Sequence, residues 1–384
     1  MIYLVTSQAS FINSETYKII DIKKSIELLK HWDIIQCDTE TNGTFAKLDK
    51  LLCVQFGNDD KTIQIVIDCS TINIRYYKEI LESKYLIFQN GKFDLQFFYN
   101  YNIVPRKIYD TMIVEQLLHL GYPSGTVSYS LKAIAKRRLG IDIDKTIRGQ
   151  IIWRGLDEKV IEYAASDVVY LYDIMKSQIN DCKRQGCIIG AKLECDAVPA
   201  IAYLEWCGIK LDIDKWKNKM IKDKESLEKA VSVLNDFIIK LSKEGYKRPT
   251  KDDIGNTFYE FISPNTFSKY LYIDRQGDLF NGFSLEPKVT INWSSPIQVV
   301  EIAKILGFNT IIKNKKTGED SDSVIEKQLR GQKGICDEFL NLYFDYQEYK
   351  KVVTSFGQGH LNAVCPVDGR IHTIYKQLGA ASGK

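Results

Sequence analysis

Long apolar runs are missing from this sequence, and no stretch approaches the ~20 residues that a membrane-spanning helix needs. The start, Met1-Ile2-Tyr3-Leu4-Val5, meets a polar run at once. With no basic leader ahead of an apolar core, a signal peptide is not expected. No Cys-x-x-Cys pair occurs. The nine cysteines are scattered, Cys182 and Cys187 being the closest, and read as buried reduced thiols in a reducing compartment. Histidine is scarce: His31, His119, His360 and His372 lie far apart. That argues against a zinc site of Cys and His, so carboxylates must do most of any metal binding. Neither sign of charge prevails, with 52 basic against 49 acidic residues. The short basic runs Lys136-Arg137-Arg138, Lys247-Arg248, and Lys313 with Lys315-Lys316 read as solvated faces. Repeats and low-complexity tracts are absent. A cytoplasmic location is expected, or the host cytoplasm for a viral gene.

What is present is a folded composition. The 384 residues are 45% hydrophobic and 26% charged, enough for two to three domains with sizeable cores. From Ile34 to Asp68 three β-rich runs with short polar connections predict an antiparallel meander. Helices near Arg75–Ser83 and Phe93–Tyr99 alternate with strands at Tyr85–Phe88 and Lys107–Tyr109. Helical patterns then dominate to about Gln185, including Asp157–Lys176. This is a mixed α/β layer. Beyond Ala191 the texture becomes mainly helical. Lys215–Leu241 is a long helix and Gly245–Val289 an irregular insertion. Pro296–Leu306, closed by Gly307, Val324–Leu329 and Glu338–Val353 are further helices.

The acids carry the chemistry. Asp38-Thr39-Glu40 ends the first strand of the meander, and strand alternation points Asp38 and Glu40 to one face. Two carboxylates side by side repel each other, a conflict that a divalent cation resolves. Asp94, in Asn90-Gly91-Lys92-Phe93-Asp94, falls in the first turn of a helix. Tyr163 and Asp167 share a helix face at i and i+4, with small Ala164 and Ala165 between them. Each feature alone has an ordinary reading as a solvated pair, a helix-start acid or a surface Asp.

Together, the order Asp, Glu, Asp, Asp with a Tyr four residues before the last resembles the tyrosine-bearing branch of the DEDD 3′-5′ exonucleases. Phe88-Gln89-Asn90-Gly91-Lys92-Phe93-Asp94 is similar to that family's second motif, and Tyr109-Asp110-Thr111-Met112 to the segment after it. The resemblance covers roughly residues 30–185 and implies a ribonuclease H-like α/β fold. It implies that Asp38, Glu40, Asp94 and Asp167 hold two Mg²⁺ ions, with Mn²⁺ able to substitute. Two such ions about 4 Å apart suit in-line phosphodiester cleavage. The resemblance further assigns Tyr163 to orienting the attacking water. Gln89 and Asn90 are assigned to the terminal nucleotides, and Thr41 and Phe45 to the terminal sugar or base. The expected substrate is a frayed, single-stranded 3′ end.

The second half resembles family A DNA polymerases, the DNA polymerase I family. The matching segments are Ala197–Asp212, Ile291-Asn292-Trp293-Ser294-Ser295-Pro296-Ile297-Gln298, Lys316–Ser321, Asp368-Gly369-Arg370-Ile371-His372-Thr373 and Gly379-Ala380-Ala381-Ser382-Gly383-Lys384. The family ends the last motif in Gly-Arg rather than Gly-Lys. The resemblance implies an exonuclease domain over 1–190 and the start of a polymerase domain over 191–384. That second part comprises thumb-like helices gripping primer-template duplex, with an insertion near 245–290. Palm and fingers have no counterpart in this sequence, nor does a 5′-nuclease domain, a compact phage-type pattern. Polymerase activity is therefore not expected from this chain alone; a fragment, a premature end, or a split polymerase whose second polypeptide carries the palm and fingers fits equally. The alternatives are a ribonuclease D-like exoribonuclease and a DNA-binding platform with a vestigial nuclease.

Overall fold

The computed structural model describes residues 1–123, 125–143, 152, 155–251, 254–273, 276–278, 282–284, 287–313 and 318–379. Lys315-Lys316 and residues 380–384, both quoted above, lie outside the described residues. The chain divides into two compact units, Met1–Lys210 with Val364–Lys384, and Leu211–Ala363. The boundary expected at residue 190 falls instead inside a helix, Ile188–Cys207. Val198 and Ala202 on that helix are fully buried in the first unit's core, so packing carries it with the residues before it.

The first unit is built on a seven-stranded mixed sheet. Its strands are β1 (Ile2–Val5), β2 (Tyr17–Ile19), β3 (Ile34–Thr41), β4 (Leu51–Gly57), β5 (Gln64–Asp68), β6 (Tyr85–Phe88) and β7 (Lys107–Asp110). Their order is β2-β1-β5-β4-β3-β6-β7. The meander β3-β4-β5 is antiparallel, as its short connections demand. β6 and β7 add in parallel on the β3 side, each after a helical crossover. β1, unread in the sequence, pairs in parallel with β5 and β2. This is the ribonuclease H-like arrangement.

The first unit's helices are α1 (Ile22–Lys30), α2 (Lys78–Ser83), α3 (Gly91–Asn100), α4 (Thr111–Leu118), α5 (Leu131–Leu139), α6 (Glu158–Asp167), α7 (Leu171–Arg184) and α8 (Ile188–Cys207). Their starts are set by side-chain caps. Asp21 accepts from Lys24 N, Asp110 from Met112 N and Ile113 N, Ser130 from Ala133 N, and Asp157 from Val160 N. The helical stretch read over Asp157–Lys176 breaks at Val168–Tyr170, so α6 ends on Asp167.

The second unit has its own core. Its long helix α9 (Ile213–Glu244) buries Leu234, Phe237, Ile238 and Leu241, an i, i+3, i+4, i+7 stripe. Against that core lie α10 (Pro296–Leu306), with Val299 and Ile302, and α11 (Asp337–Ser355), with Phe339 and Tyr343. Trp293 Nε1 donates to Asn235 Oδ1 at 2.9 Å. The segment read as irregular opens on a six-pair antiparallel hairpin, Tyr246–Lys251 with Thr257–Ile262. Its alternation is hidden in the sequence because Phe258, Tyr259 and Phe261 are all exposed.

The basic run at Lys136–Arg138 is partly an internal network rather than a solvated face. Arg137 Nε and Arg138 Nε each donate at 2.8 Å to the buried Glu115 of α4, which also accepts from Gln178 Nε2 of α7 at 2.8 Å. Arg138 reaches Asp181 as well. Burial pushes the Glu115 carboxyl up, but hydrogen bonds from Gln178, Arg137 and Arg138 outweigh it and hold it below the usual range. Glu115→Ala strands a buried guanidinium and should cost about 3–5 kcal/mol in urea denaturation at neutral pH. Because the folded carboxyl titrates below the unfolded one, the stabilisation is fully present above ~4.3 and lost as pH falls through the folded value. The difference between wild type and variant should therefore shrink on acidification.

Candidate active site

β3 delivers the first two acids. Asp38 and Glu40 lie on one face of the strand, and Asp38 pairs in register with Gln55 of β4. Gln55, fully buried, donates from Nε2 to Asp38 Oδ2 at 2.8 Å. The register shifts between Glu40 and Thr41, so regular pairing ends where the acids do. α6 brings Asp167 in at its last position. One carboxylate oxygen each from Asp38, Glu40 and Asp167 lies within 4.8 Å of the others.

Asp94 arrives from α3 and is held differently. Thr39 Oγ1, between the two β3 acids in sequence, donates to Asp94 Oδ1 at 2.6 Å. Asp94 is 2% exposed, and its carboxyl is pushed well above the usual range, by burial first and then by the negative charge of Asp38. All four acids line one cleft of about 820 Å³, together with Thr41, Gln89, Asn90, Phe93, Met112 and Lys132. The closest set is the trio, and Asp94 stands beside it.

The start of α3 depends on a strained turn. Asn90 adopts a left-handed conformation (φ 66°, ψ 46°), which Asn tolerates better than most residues. A Cβ on Gly91 would lie 2.8 Å from Phe88 Cβ, so only glycine fits there. The fully buried Asp110 fastens both, accepting from Asn90 N at 3.1 Å and Gly91 N at 2.7 Å while capping α4. Burial raises its pKa against those four backbone hydrogen bonds. Gln55, Thr39 and Asp110 had no role assigned from the sequence. Cross-strand register brings Gln55 to Asp38 and β7 brings Asp110 to the Asn90 turn, while Thr39 lies between the two β3 acids and meets Asp94 of the following helix α3.

The other expected residues take varied places. Gln89 lines the cleft, but its amide is engaged by the protein: Nε2 donates to the Tyr129 carbonyl at 2.9 Å and Oε1 accepts from Thr111. Thr41 lines the cleft with its hydroxyl on the Gly43 carbonyl at 2.6 Å. Phe45 is not among the lining residues; its ring packs edge-on against His372, with centroids 5.2 Å apart. Tyr163, one turn before Asp167, is 6% exposed and packs with Val160 against Leu52 and Leu156. It borders a neighbouring cavity of about 450 Å³ with Glu162, Ser166 and Tyr170.

The donor set fits a divalent cation. Its ligands are carboxylate oxygens, the choice of hard cations. Asp167 sits at the negative end of its helix, where a second negative charge is unfavourable. Among the described lining residues Lys132 is the one cationic side chain, and it pairs with Asp142 at 3.0 Å. A saturating divalent cation should therefore raise the melting temperature. At a hundred times its Kd the gain is about 2.7 kcal/mol. Asp167→Asn should remove most of that gain while leaving cation-free stability level or higher, since repulsion is relieved. Scanning fluorimetry with and without cation reads both; a wild-type curve indifferent to divalent cations would refute the site.

Residues 16–180 match the DNA polymerase A 3′-5′ exonuclease family. DNA polymerase I of Aquifex aeolicus (strain VF5) is 28% identical over 386 residues, covering 94% of this chain and 54% of that protein. Ribonuclease D of Bartonella henselae is 26% identical over 171 residues, covering 43% of this chain and 41% of the relative. The polymerase domain of Pol1 from M. smegmatis, solved with DNA primer-template and dNTP, superposes with a TM-score of 0.63 at 15% identity, covering 94% of this chain and 52% of that one. That last likeness speaks for the fold alone. The chain spans about half the length, or less, of the curated relatives it matches.

Proposed function

We propose that the chain, whose residues 16–180 match the DNA polymerase A 3′-5′ exonuclease family, removes nucleotides one at a time from the 3′ end of DNA, as the proofreading part of a family A DNA polymerase. The observation that carries this reading is the single cleft lined by Asp38, Glu40, Asp94 and Asp167. Asp38, Glu40 and Asp167 hold the divalent cations, which we take to be two Mg²⁺, with Asp94 completing the set. Bound there, they supply the Lewis acidity that makes water nucleophilic at neutral pH and offset charge on the leaving oxygen.

The chain's own residues do the rest. Gln55 fixes the Oδ2 of Asp38 and so sets the orientation of its carboxylate in the cleft. Thr39 fixes Asp94 in the same way. Phe93 and Met112 give the cleft an apolar patch for an unstacked base, and Asn90 offers its amide to the terminal nucleotide. Tyr163 orients the attacking water from one turn before Asp167. In the Leu211–Ala363 unit, exposed lysines of α9 such as Lys217, Lys222 and Lys229 give a sequence-independent hold on duplex phosphates.

A 5′-labelled DNA primer with Mg²⁺ should give a ladder descending from its 3′ end, faster on a single strand or mismatched terminus than on a paired one. Asp38→Ala should nearly abolish the ladder. Immediate release of the labelled 5′ nucleotide would contradict the polarity. The match to ribonuclease D supports a second reading, an exoribonuclease. An RNA oligonucleotide of the same sequence tests it, and faster cleavage of RNA than of DNA would favour it.

Tyr163→Phe should lower the rate by about 10²-fold, the scale of a positioned acid-base or water-orienting group. Cation stabilisation should stay unchanged. A variant that also lost the cation's thermal shift would mark Tyr163 as a support of the site rather than a group acting on water.

A further inference from the structure

The first unit holds a second cluster of metal-ligating side chains, built from different chemistry. The segment after Ala363 forms a tight hairpin: Cys365 N donates to the Arg370 carbonyl at 2.8 Å and Gly369 N to the Cys365 carbonyl at 2.9 Å. Gly369, at φ 68°, turns the chain where a side chain would be strained. The turn brings Cys365, Asp368 and His372 together, with one ligand atom of each within 4.8 Å of the others. Cys365 is 4% exposed, and the His372 side chain 8%.

The orientation of His372 is the informative feature. Its Nδ1 lies 2.8 Å from the backbone carbonyl of Glu205, which can only accept. Nδ1 therefore carries the proton, and Nε2 faces Asp368, 3.1 Å from Oδ2 and 3.3 Å from Oδ1. A bare nitrogen lone pair against a carboxylate is repulsive. Nε2 needs a positive partner of its own, either a proton or a metal ion. An imidazole whose other nitrogen is anchored on a backbone carbonyl is the usual arrangement of a metal-bound histidine. The nearest ammonium does not fill this place. Lys47 Nζ stands 3.8 Å from Asp368 Oδ2, beyond hydrogen-bond reach, and lies over the Trp206 ring at 3.4 Å from its centroid. Arg370 points its guanidinium to the carbonyls of Cys207 and Gly208.

We propose that Cys365, Asp368 and His372 bind a thiophilic divalent cation of the Zn²⁺ type. The mixed sulfur, nitrogen and oxygen set selects a borderline-soft ion and sets this site apart from the all-carboxylate cleft. Three protein ligands leave the fourth tetrahedral position to water. Binding releases the Cys365 thiol proton, and the Nε2 proton where the imidazole carries one. The ion ties the turn at 365–369 to His372 and, through the Glu205 carbonyl, to the end of α8. The three ligands lie within eight residues as Cys365-x-x-Asp368-x-x-x-His372, a spacing that the wide separation of the histidines from one another does not reveal.

Co²⁺ alone, added to the chelator-stripped full chain, is the probe. A thiolate-to-metal charge-transfer band in the near ultraviolet and strong visible bands of a tetrahedral ion are expected, both bleached by Zn²⁺. They should persist in Asp38→Ala, whose lesion lies in the other cluster, and disappear in Cys365→Ser and in His372→Gln. In the wild-type chain Zn²⁺ should also slow alkylation of Cys365, mapped by mass spectrometry, which needs no variant to fold. No thiolate band in the wild type, a band surviving Cys365→Ser, or alkylation of Cys365 indifferent to Zn²⁺ would each overturn the proposal. None of these outcomes bears on the nuclease reading.

Discussion

Four carboxylates share one cleft, and repulsion between like charges at that spacing is the constraint around which the first unit is arranged. Left to itself such a group splays apart or takes up protons. Here each acid is pinned by a rigid element. β3 is held by β6 through Ile34–Gln36 and by β4 through Asp38 and Glu40, so both acids extend from a strand anchored inside the sheet. Gln55 and Thr39 then hold individual oxygens of Asp38 and Asp94. The protein carries the electrostatic cost in its folded state, and the proposed divalent cation would remove it. That the unit folds around this cluster is a statement about how strongly its core opposes repulsion: Ile35, Cys37, Val54, Phe56 and Ile67 are essentially inaccessible beneath it.

The polar network behind the cleft is equally dependent on burial. Asp110 gathers four backbone N–H groups from the Asn90-Gly91 turn and the start of α4, and Glu115 gathers two arginines and Gln178 from α5 and α7. A buried carboxylate is tolerable only when its lone pairs are filled, and in both cases they are. The result is that α3, which carries Asp94, begins at one defined point. α4, α5 and α7 are cross-linked by directional bonds rather than by apolar contact alone.

The second unit obeys simpler rules. Its core is a stripe on one long helix, closed by aromatic rings of which Phe339 and Tyr343 stack at 5.6 Å with planes 7° apart. Only the C-terminal half of α9 is buried, and the lysine-rich half remains solvated. Near its start Trp216 packs on His360, with ring centroids 4.9 Å apart, and the exposed lysines lie between that contact and the buried stripe.

The sequence by itself determined the local elements and the identity of the acids. The meander, the Pro296–Leu306 helix with its terminal glycine and the long α9 follow from periodicity and caps, which are local in sequence, while the Asp38, Glu40, Asp94 and Asp167 set follows from its resemblance in residue order to the DEDD exonucleases. Only the tertiary structure decided which partners each acid has. Gln55 meets Asp38 through strand register, Asp110 reaches the Asn90 turn from the neighbouring strand, and β1 finds β5 across some sixty residues. The placement of Phe45 on His372, of Tyr163 in a neighbouring cavity, and of α8 with the first unit was likewise settled by packing. The reason is physical: propensity and pattern act between residues a turn or a strand apart. Burial, repulsion and hydrogen-bond satisfaction act between whichever atoms the fold makes neighbours, and no spacing in the chain records that.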